Sequence, residues 1–366
     1  MPKKKSVNKP FLWTVLALVF FGFTVFYSAS TGLAAREGLA FYGIIMNQLF
    51  IGVLGGLFMM FIFSKVDHNI IKKYGLLFFI IALITNFLMF IPSLGITNGG
   101  ATRWIGIGGF SLQPSEFLKV TSIILIASWF NFHKKDLKKP WFALISIIST
   151  IFMITIPLIL QKDFDIIFLI ALPLIAMFFV SKAPLKTGLI LGGITLLVAT
   201  ILIFTIPHVK TRVFGFFNPN EGGQTVNYQY RQSQIAIGSG GIFGKGFGQS
   251  TQKFGSLPEP TNDSIFAVLA EEFGLIGSTL LIALYFVFGI FGYKIASSAK
   301  TIFGSLFTFG IVTLILVQSF MNIASMVGLF PITGQPLVFV SHGGTSLLVT
   351  LSMIGIILNI SKEVKV

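Results

Sequence analysis

The sequence predicts an all-α polytopic membrane protein of ten transmembrane helices, with cytoplasmic N- and C-termini and a large extracytoplasmic loop between helices 7 and 8. Three observations predict it. A mean hydropathy of +0.89 with 10% charged residues lies outside the soluble globular range. Ten apolar windows are long enough to cross a hydrocarbon core, which takes ~20 helical residues. Seventeen of the 22 lysines fall in short runs between these windows, on the side that the positive-inside rule makes cytoplasmic when the windows alternate from an inner N-terminus.

The first window, 11–31, follows Lys3, Lys4 and Lys5. Its apolar run is longer than most signal-peptide cores and further spans follow, so it reads as a retained anchor. Windows 40–64 and 74–93 bracket the basic piece from Lys65 to Lys73, and 114–132 leads into the densest inner run, HKKDLKKP at 133–140. Windows 141–160, 165–181 and 186–207 are so closely spaced that they form tight hairpins, and 264–292, 302–329 and 340–360 complete the set. Residues 1–366 read as a single membrane domain whose longest connection is the outer loop at about 208–263.

The formal charge of +14 would suggest a nucleic-acid partner in a soluble protein, but its partition between apolar spans is a topology signal. The absence of cysteine excludes disulfides, thiolate metal sites and thiol nucleophiles. Arg36, Arg103, Arg212 and Arg231, the only arginines, are all assigned to the outer side. A planar guanidinium that stays charged suits phosphate recognition, so an anionic ligand on the outer face is expected, against the plain alternative that inner loops prefer lysine.

The sequence has only twelve acidic residues, yet four of them, Glu259, Asp263, Glu271 and Glu272, crowd into LPEPTNDSIFAVLAEE at 257–272, at the start of an apolar span. Carboxylates are costly there unless they are used. Asp263 reads either as a reacting group or as the N-cap of the span beginning SIFAVLA. Glu271 and Glu272 read more simply as supports within the helix. Glu116 and Lys119, at i and i+3 within the fourth window, form either a functional polar pair or a structural one. The Gly-rich GSGGIFGKGFGQ at 238–249 permits left-handed backbone and close approach to a ligand. His342, beside two glycines, reads as a packed or capped polar residue.

Three polar segments are expected on one side, at 98–120, 257–266 and 330–348, and they carry a family resemblance. RWIGIGGFSLQPSEFLK, YQYRQSQIAIGSGGIFGKGFGQS and PITGQPLVFVSHGGTS resemble, in this order, signature segments of the SEDS family (FtsW/RodA/SpoVE) of cell-wall polymerases. GQSTQKFGSLPEPTNDSIFAV is closer to the division branch, FtsW, than to the elongation branch, RodA. The chain departs from the pattern at Thr261-Asn262, Val338 and His342. It also departs at Gln161-Lys162-Asp163-Phe164-Asp165-Ile166, where Lys162 and Asp165 offer contacts that the family's QPDxGT form lacks.

The resemblance implies peptidoglycan glycosyl transfer at the outer face of the bacterial cell membrane. Lipid II, an undecaprenyl-diphosphate disaccharide-peptide, would be donor, and the 4-hydroxyl of a second lipid II acceptor, with inversion. Septal wall synthesis is the expected setting. Asp263 matches the family's catalytic aspartate. Arg103, Glu116, Lys119, Arg212, Gln232, Ser233, Lys245, Lys253, Glu259 and Ser341 are the expected substrate-binding residues. Among them Arg103, Arg212, Lys245 and Lys253, with Arg231 beside them, could meet the departing diphosphate. No metal-ligand spacing is visible, although a divalent cation, Mg2+ or Mn2+, could stand between diphosphate and carboxylates. No cross-linking domain is recognisable, so a class B penicillin-binding transpeptidase and other division or elongation proteins are the expected partners. Rival readings are a lipid II flippase, against which the lack of internal repeats counts, and a non-catalytic scaffold for the transpeptidase.

Overall fold

The computed structural model describes residues 6–363 apart from 38–39, 92, 99–100, 108–109, 140, 182 and 218–223. The side chain of Arg36 lies outside the described residues, as do Lys3 to Lys5 and part of the outer loop. The chain opens with α1 (Lys9–Glu37) and α2 (Ala40–Asn47), which runs through a π-helix at Gln48–Gly55 into α3 (Gly56–Lys65). Then come α4 (His68–Lys73) and α5 (Gly75–Leu88). Strands β1 (Gly95–Asn98), β2 (Ala101–Ile107) and β3 (Phe110–Leu112) follow, and after them α6 (Pro114–Phe132), α7 (Phe142–Leu160), α8 (Phe164–Val180) and α9 (Leu185–Thr205). Helices α10 (Pro207–Phe217) and α11 (Gln224–Gly240) precede α12 (Ile265–Ser298), α13 (Ile302–Val327) and α14 (Gly344–Ser361).

Seven helices among the described residues are long and apolar enough to cross a membrane: α1, the α2–α3 run, α7, α9, α12, α13 and α14. Helices α5 and α8 are apolar but shorter, and α6 carries Glu116 and Lys119 within its apolar face. Each of the ten windows overlaps a helix, though only seven meet the length and hydropathy of a span among the described residues, and the all-α expectation needs correction. Strands β1, β2 and β3 form a three-stranded antiparallel sheet, with Gly95 opposite Ile105 and Ile105 opposite Leu112. The long connection after α9 carries the helices α10 and α11 among its described residues.

The core gathers around α6 and α13. On α6, Leu118, Ile123, Ala127 and Phe130 are fully buried, and α13 contributes Phe303, Phe307 and Val312. Pro114 opens α6 at a position where no intrahelical N–H is lost. Thr301 caps α13 by accepting from Gly304 N, and Gly328 ends it in the left-handed conformation at φ +84°. Phe11 of α1 stacks on Phe288 of α12 at 5.3 Å, holding the first helix against the later bundle.

The span expected at 264–292 is broken. Gly274 has φ 64° and ψ −160°, a combination open essentially to glycine alone. A Cβ there would lie 2.4 Å from Gly244 N and 2.5 Å from Ile242 O. The break receives the Gly-rich segment: Leu275 N donates to Gly241 O, Lys245 N to Glu271 O and Gly246 N to Glu272 O. A Cβ on Gly240 or Gly244 would fall 2.0–2.1 Å from the carbonyls of Ala270 and Glu272. Close approach therefore explains these glycines, but the surface approached is the backbone of α12 and no ligand is required. Gly274→Ala should lower thermal stability by several degrees and reduce accumulation in membranes, as read by fluorescence-detected size exclusion after heating. An unchanged melting temperature would contradict the packing described.

Candidate active site

The turn before α12, the loop from α13 to α14, the start of α8, helix α10 and strand β2 meet at Asp263. The helix begins at Ile265 with Ser264 at its N-cap, one residue beyond Asp263, and among the described residues no side-chain cap bond closes this end. The backbone of Asp263 is fixed. Asn322 of α13 donates one Nδ2 proton to Asp263 O and another to Gln335 O, each at 2.8 Å. Ser341 Oγ donates to Asn262 O at 2.6 Å and accepts from Leu337 N at 2.8 Å, while His342 N donates to Thr261 O. Ser341 is therefore a clamp between two loops rather than an open ligand contact.

Gly334 marks where the charged groups converge. It has φ +62°, and a Cβ on it would lie 3.5 Å from Arg212 Nη2, 3.6 Å from Asp263 Oδ2 and 3.8 Å from Asp165 Oδ2. Arg212 Nη1 is paired with Asp165 Oδ2 at 2.7 Å. Arg103 on β2 donates from Nη2 to Lys162 O at 2.6 Å, and its Nε stands 3.8 Å from Asp163 Oδ2. Lys162 has a left-handed φ of 55°, so the altered segment after α7 turns its carbonyl onto Arg103.

Asp263 is half-buried, and its carboxyl is pushed up to about 7. Desolvation is the main cause, followed by the charge of Glu259; Arg212 and Arg103 oppose the shift and Asp165 adds to it. Glu259 itself is exposed, held at φ 47° and bonded through Oε2 to Asn262 Nδ2 at 2.7 Å. Asp163 is buried, accepts no hydrogen bond among the described residues and is raised to about 6, chiefly by desolvation and against the pull of Arg103. The site thus holds two carboxyls whose charge is uncomfortable and two arginines facing them.

The other expected residues are held in contacts of their own, and Glu116 and Lys119 stand near enough to act electrostatically on Asp163. Glu116 and Lys119 form a buried pair at 2.7 Å. Ser346 donates to Glu116 Oε2, Lys119 to Gln318 Oε1, and Gln318 in turn to Pro336 O at 3.0 Å. This chain of bonds supports the loop that carries Gly334. Ser233 is buried against Met326 Sδ, and Gln232 beside it is half-buried on α11. Arg231 is exposed.

Lys253 is fully enclosed and donates to Glu272 Oε1 at 2.7 Å, Ser28 O at 3.0 Å and Ser28 Oγ at 3.2 Å. Lys245 pairs with Glu271 Oε1 at 2.6 Å, beside Ser250 and Thr251, which bond the same carboxylate. These two lysines, expected to face the substrate, are spent on the two helix glutamates because each carboxylate buried in α12 needs a cation. Gln318 and Asn322 were missed by sequence reasoning. Their signal is two amides four residues apart within an otherwise apolar span.

Among the described residues no group of three or more His, Asp or Glu is placed to hold a metal ion. The cations that the chain itself supplies beside Asp263 are Arg212 and Arg103. Chemically, the arrangement offers a carboxylate basic enough to take a proton near neutral pH and two guanidinium groups able to meet developing negative charge.

The FtsW/RodA/SpoVE family model, described as "Cell cycle protein", matches residues 9–366. The chain is 34% identical over 361 residues to Stage V sporulation protein E of Bacillus subtilis, covering 98% of each. It is 33% identical over 356 residues to the probable peptidoglycan glycosyltransferase FtsW of Geobacter sulfurreducens, covering 97% of this chain and 95% of that one. Among solved structures, a chain of a peptidoglycan synthase complex superposes with a TM-score of 0.78 at 22% identity, covering 98% of each chain. The rod shape determining protein RodA of Thermus thermophilus gives 0.67 at 21% identity, covering 98% of this chain and 97% of that one. At that identity the structures speak for the fold.

Proposed function

Since the chain belongs to the FtsW/RodA/SpoVE family, we propose that it is a peptidoglycan glycosyltransferase that polymerises lipid II, with Asp263 as the general base. The observation that carries this reading is the half-buried Asp263 carboxyl, held near neutrality in its proton affinity and facing Arg212 across Gly334. Asp263 takes the proton of the acceptor's 4-hydroxyl as that oxygen attacks the donor's anomeric carbon. The bond to the diphosphate breaks, and the leaving group carries the electron pair away towards Arg212 and Arg103. Direct attack inverts an α-linked donor to a β-glycoside.

The remaining features fit a polyprenyl substrate at a membrane face. An apolar cavity of about 500 Å³ is lined by residues including Phe63, Phe78, Leu112, Phe117 and Leu348, large enough for part of a lipid chain. The reading takes the chain as one membrane domain of ten spans, with both termini cytoplasmic and the site on the extracytoplasmic side of the bacterial cell membrane. The TQKFGSLPEPTNDSIFAV segment favours septal synthesis, alongside a class B penicillin-binding transpeptidase that cross-links the product.

Purified protein with such a partner, in vesicles containing labelled lipid II, tests this. Glycan polymer is expected; lipid II translocation without polymer would favour the flippase reading instead. The pH profile is a second expectation. Because the carboxyl of Asp263 is raised, the base is protonated and idle below about 7. The rate should rise through pH 7 and level off above it, falling about tenfold for each unit well below the midpoint. A rate independent of pH between 5 and 8 would show that Asp263 is not the base.

A further inference from the structure

We propose that Asp165 is a positioning residue for glycosyl transfer, holding one nitrogen of Arg212 so that the other faces the space in front of Asp263. This rests on the function proposed above. Asp165 sits in the first turn of α8, where the helix amides favour an anion, and Arg212 comes from α10, a separate element. Their bond uses Nη1 at 2.7 Å. The second nitrogen, Nη2, lies 3.5 Å from a Cβ position on Gly334, and Asp263 Oδ2 lies 3.6 Å from the same point. A guanidinium is a rigid planar fork, so fixing one terminal nitrogen orients the other.

The pair is also open to the site. About a quarter of the Asp165 side chain and a third of that of Arg212 are exposed, at 26% and 31%, unlike the sealed Lys253–Glu272 pair. The segment from Gln161 to Ile166 is where this chain departs from the resemblance noted above, and Asp165 is one of the substituted positions. The carboxylate at this position pairs with Arg212 close to the reacting group. The charged groups facing Asp263 are Glu259 from its own turn, Arg212 from α10, Asp165 from α8 and Arg103 from β2.

The test compares polymerisation of labelled lipid II by the full chain with its class B penicillin-binding partner, for wild type, Asp165→Asn, Asp165→Glu, Arg212→Ala and the Asp165→Asn/Arg212→Ala double variant. Asp165→Asn should lower kcat by about tenfold or more with KM within about threefold, and Asp165→Glu should recover most of the loss. A merely structural clamp would not give this pattern, a loss in kcat at nearly unchanged KM that the conservative variant restores. Since Asp165 acts through Arg212, the double variant should be no slower than Arg212→Ala alone. An Asp165→Asn rate within about twofold of wild type, or a double variant slowed by the full product of the single effects, would overturn the inference. Wild type that makes no polymer would overturn the proposed function and this inference with it, whereas active wild type with an unaffected Asp165→Asn would overturn this inference alone.

Discussion

Replacing Asp263 with Asn is expected to lower the rate of glycan polymerisation by about 10²–10⁴-fold, the usual worth of a positioned general base. The amide fills the same space but cannot take the proton of the acceptor hydroxyl. Its position should persist, because Asn322 and Ser341 hold the turn through backbone carbonyls that the substitution leaves alone. Stability should not fall either. A carboxyl raised from its usual value to about 7 binds its proton more tightly folded than unfolded, so its ionisation costs stability increasingly above the unfolded value and in full above pH 7. The variant should therefore melt at or above the wild-type temperature at pH 8, with the gap closing as the pH falls towards 4. A variant that is inactive because it is unfolded would lack this signature.

Lys253→Ala is expected to have the largest effect on folding, about 3–5 kcal/mol, the usual cost of leaving one member of a buried ion pair alone. Lys253 and Glu272 are 0% and 1% exposed and sit 2.7 Å apart. Ser28 of α1 joins them, donating to Glu272 Oε2 while its carbonyl accepts from Lys253. This one cluster ties the segment between α11 and α12, the first helix and α12 together, so its loss should loosen that segment and lower the melting temperature sharply. Replacing both partners by apolar residues should recover part of the loss, since no unpaired charge then remains. Wild-type stability in Lys253→Ala would show that the pair is not buried as described.

Much of the helical pattern was legible because spans announce themselves by hydropathy, a property local to each window. The sheet at 95–112 was not, since its short Gly- and Thr-rich strands lack an alternating apolar face and are defined only by pairing with one another. The break at Gly274 was hidden for a related reason: one glycine in an apolar run reads as helix until the segment packed against it is known. In the site, Asp263, Arg103 and Arg212 could be named from residue type and expected side. The engagement of Lys245 and Lys253 by Glu271 and Glu272 could not, because pairing between residues 26 and 19 positions apart depends on how the loop folds back onto α12. Asp165 and Gly334 gain their meaning only from the point in space that they share with Asp263 and Arg212.

The most direct measurement is glycan chain formation from labelled lipid II by purified wild-type protein and Asp263→Asn, each with the same penicillin-binding partner and each checked for its melting temperature at pH 8. The expected result is a ladder of glycan strands from wild type and unreacted lipid II alone from a folded Asp263→Asn. A ladder of equal yield from Asp263→Asn, or none from wild type in the presence of its partner, would contradict the assignment of this chain as a glycosyltransferase that uses Asp263 as its base.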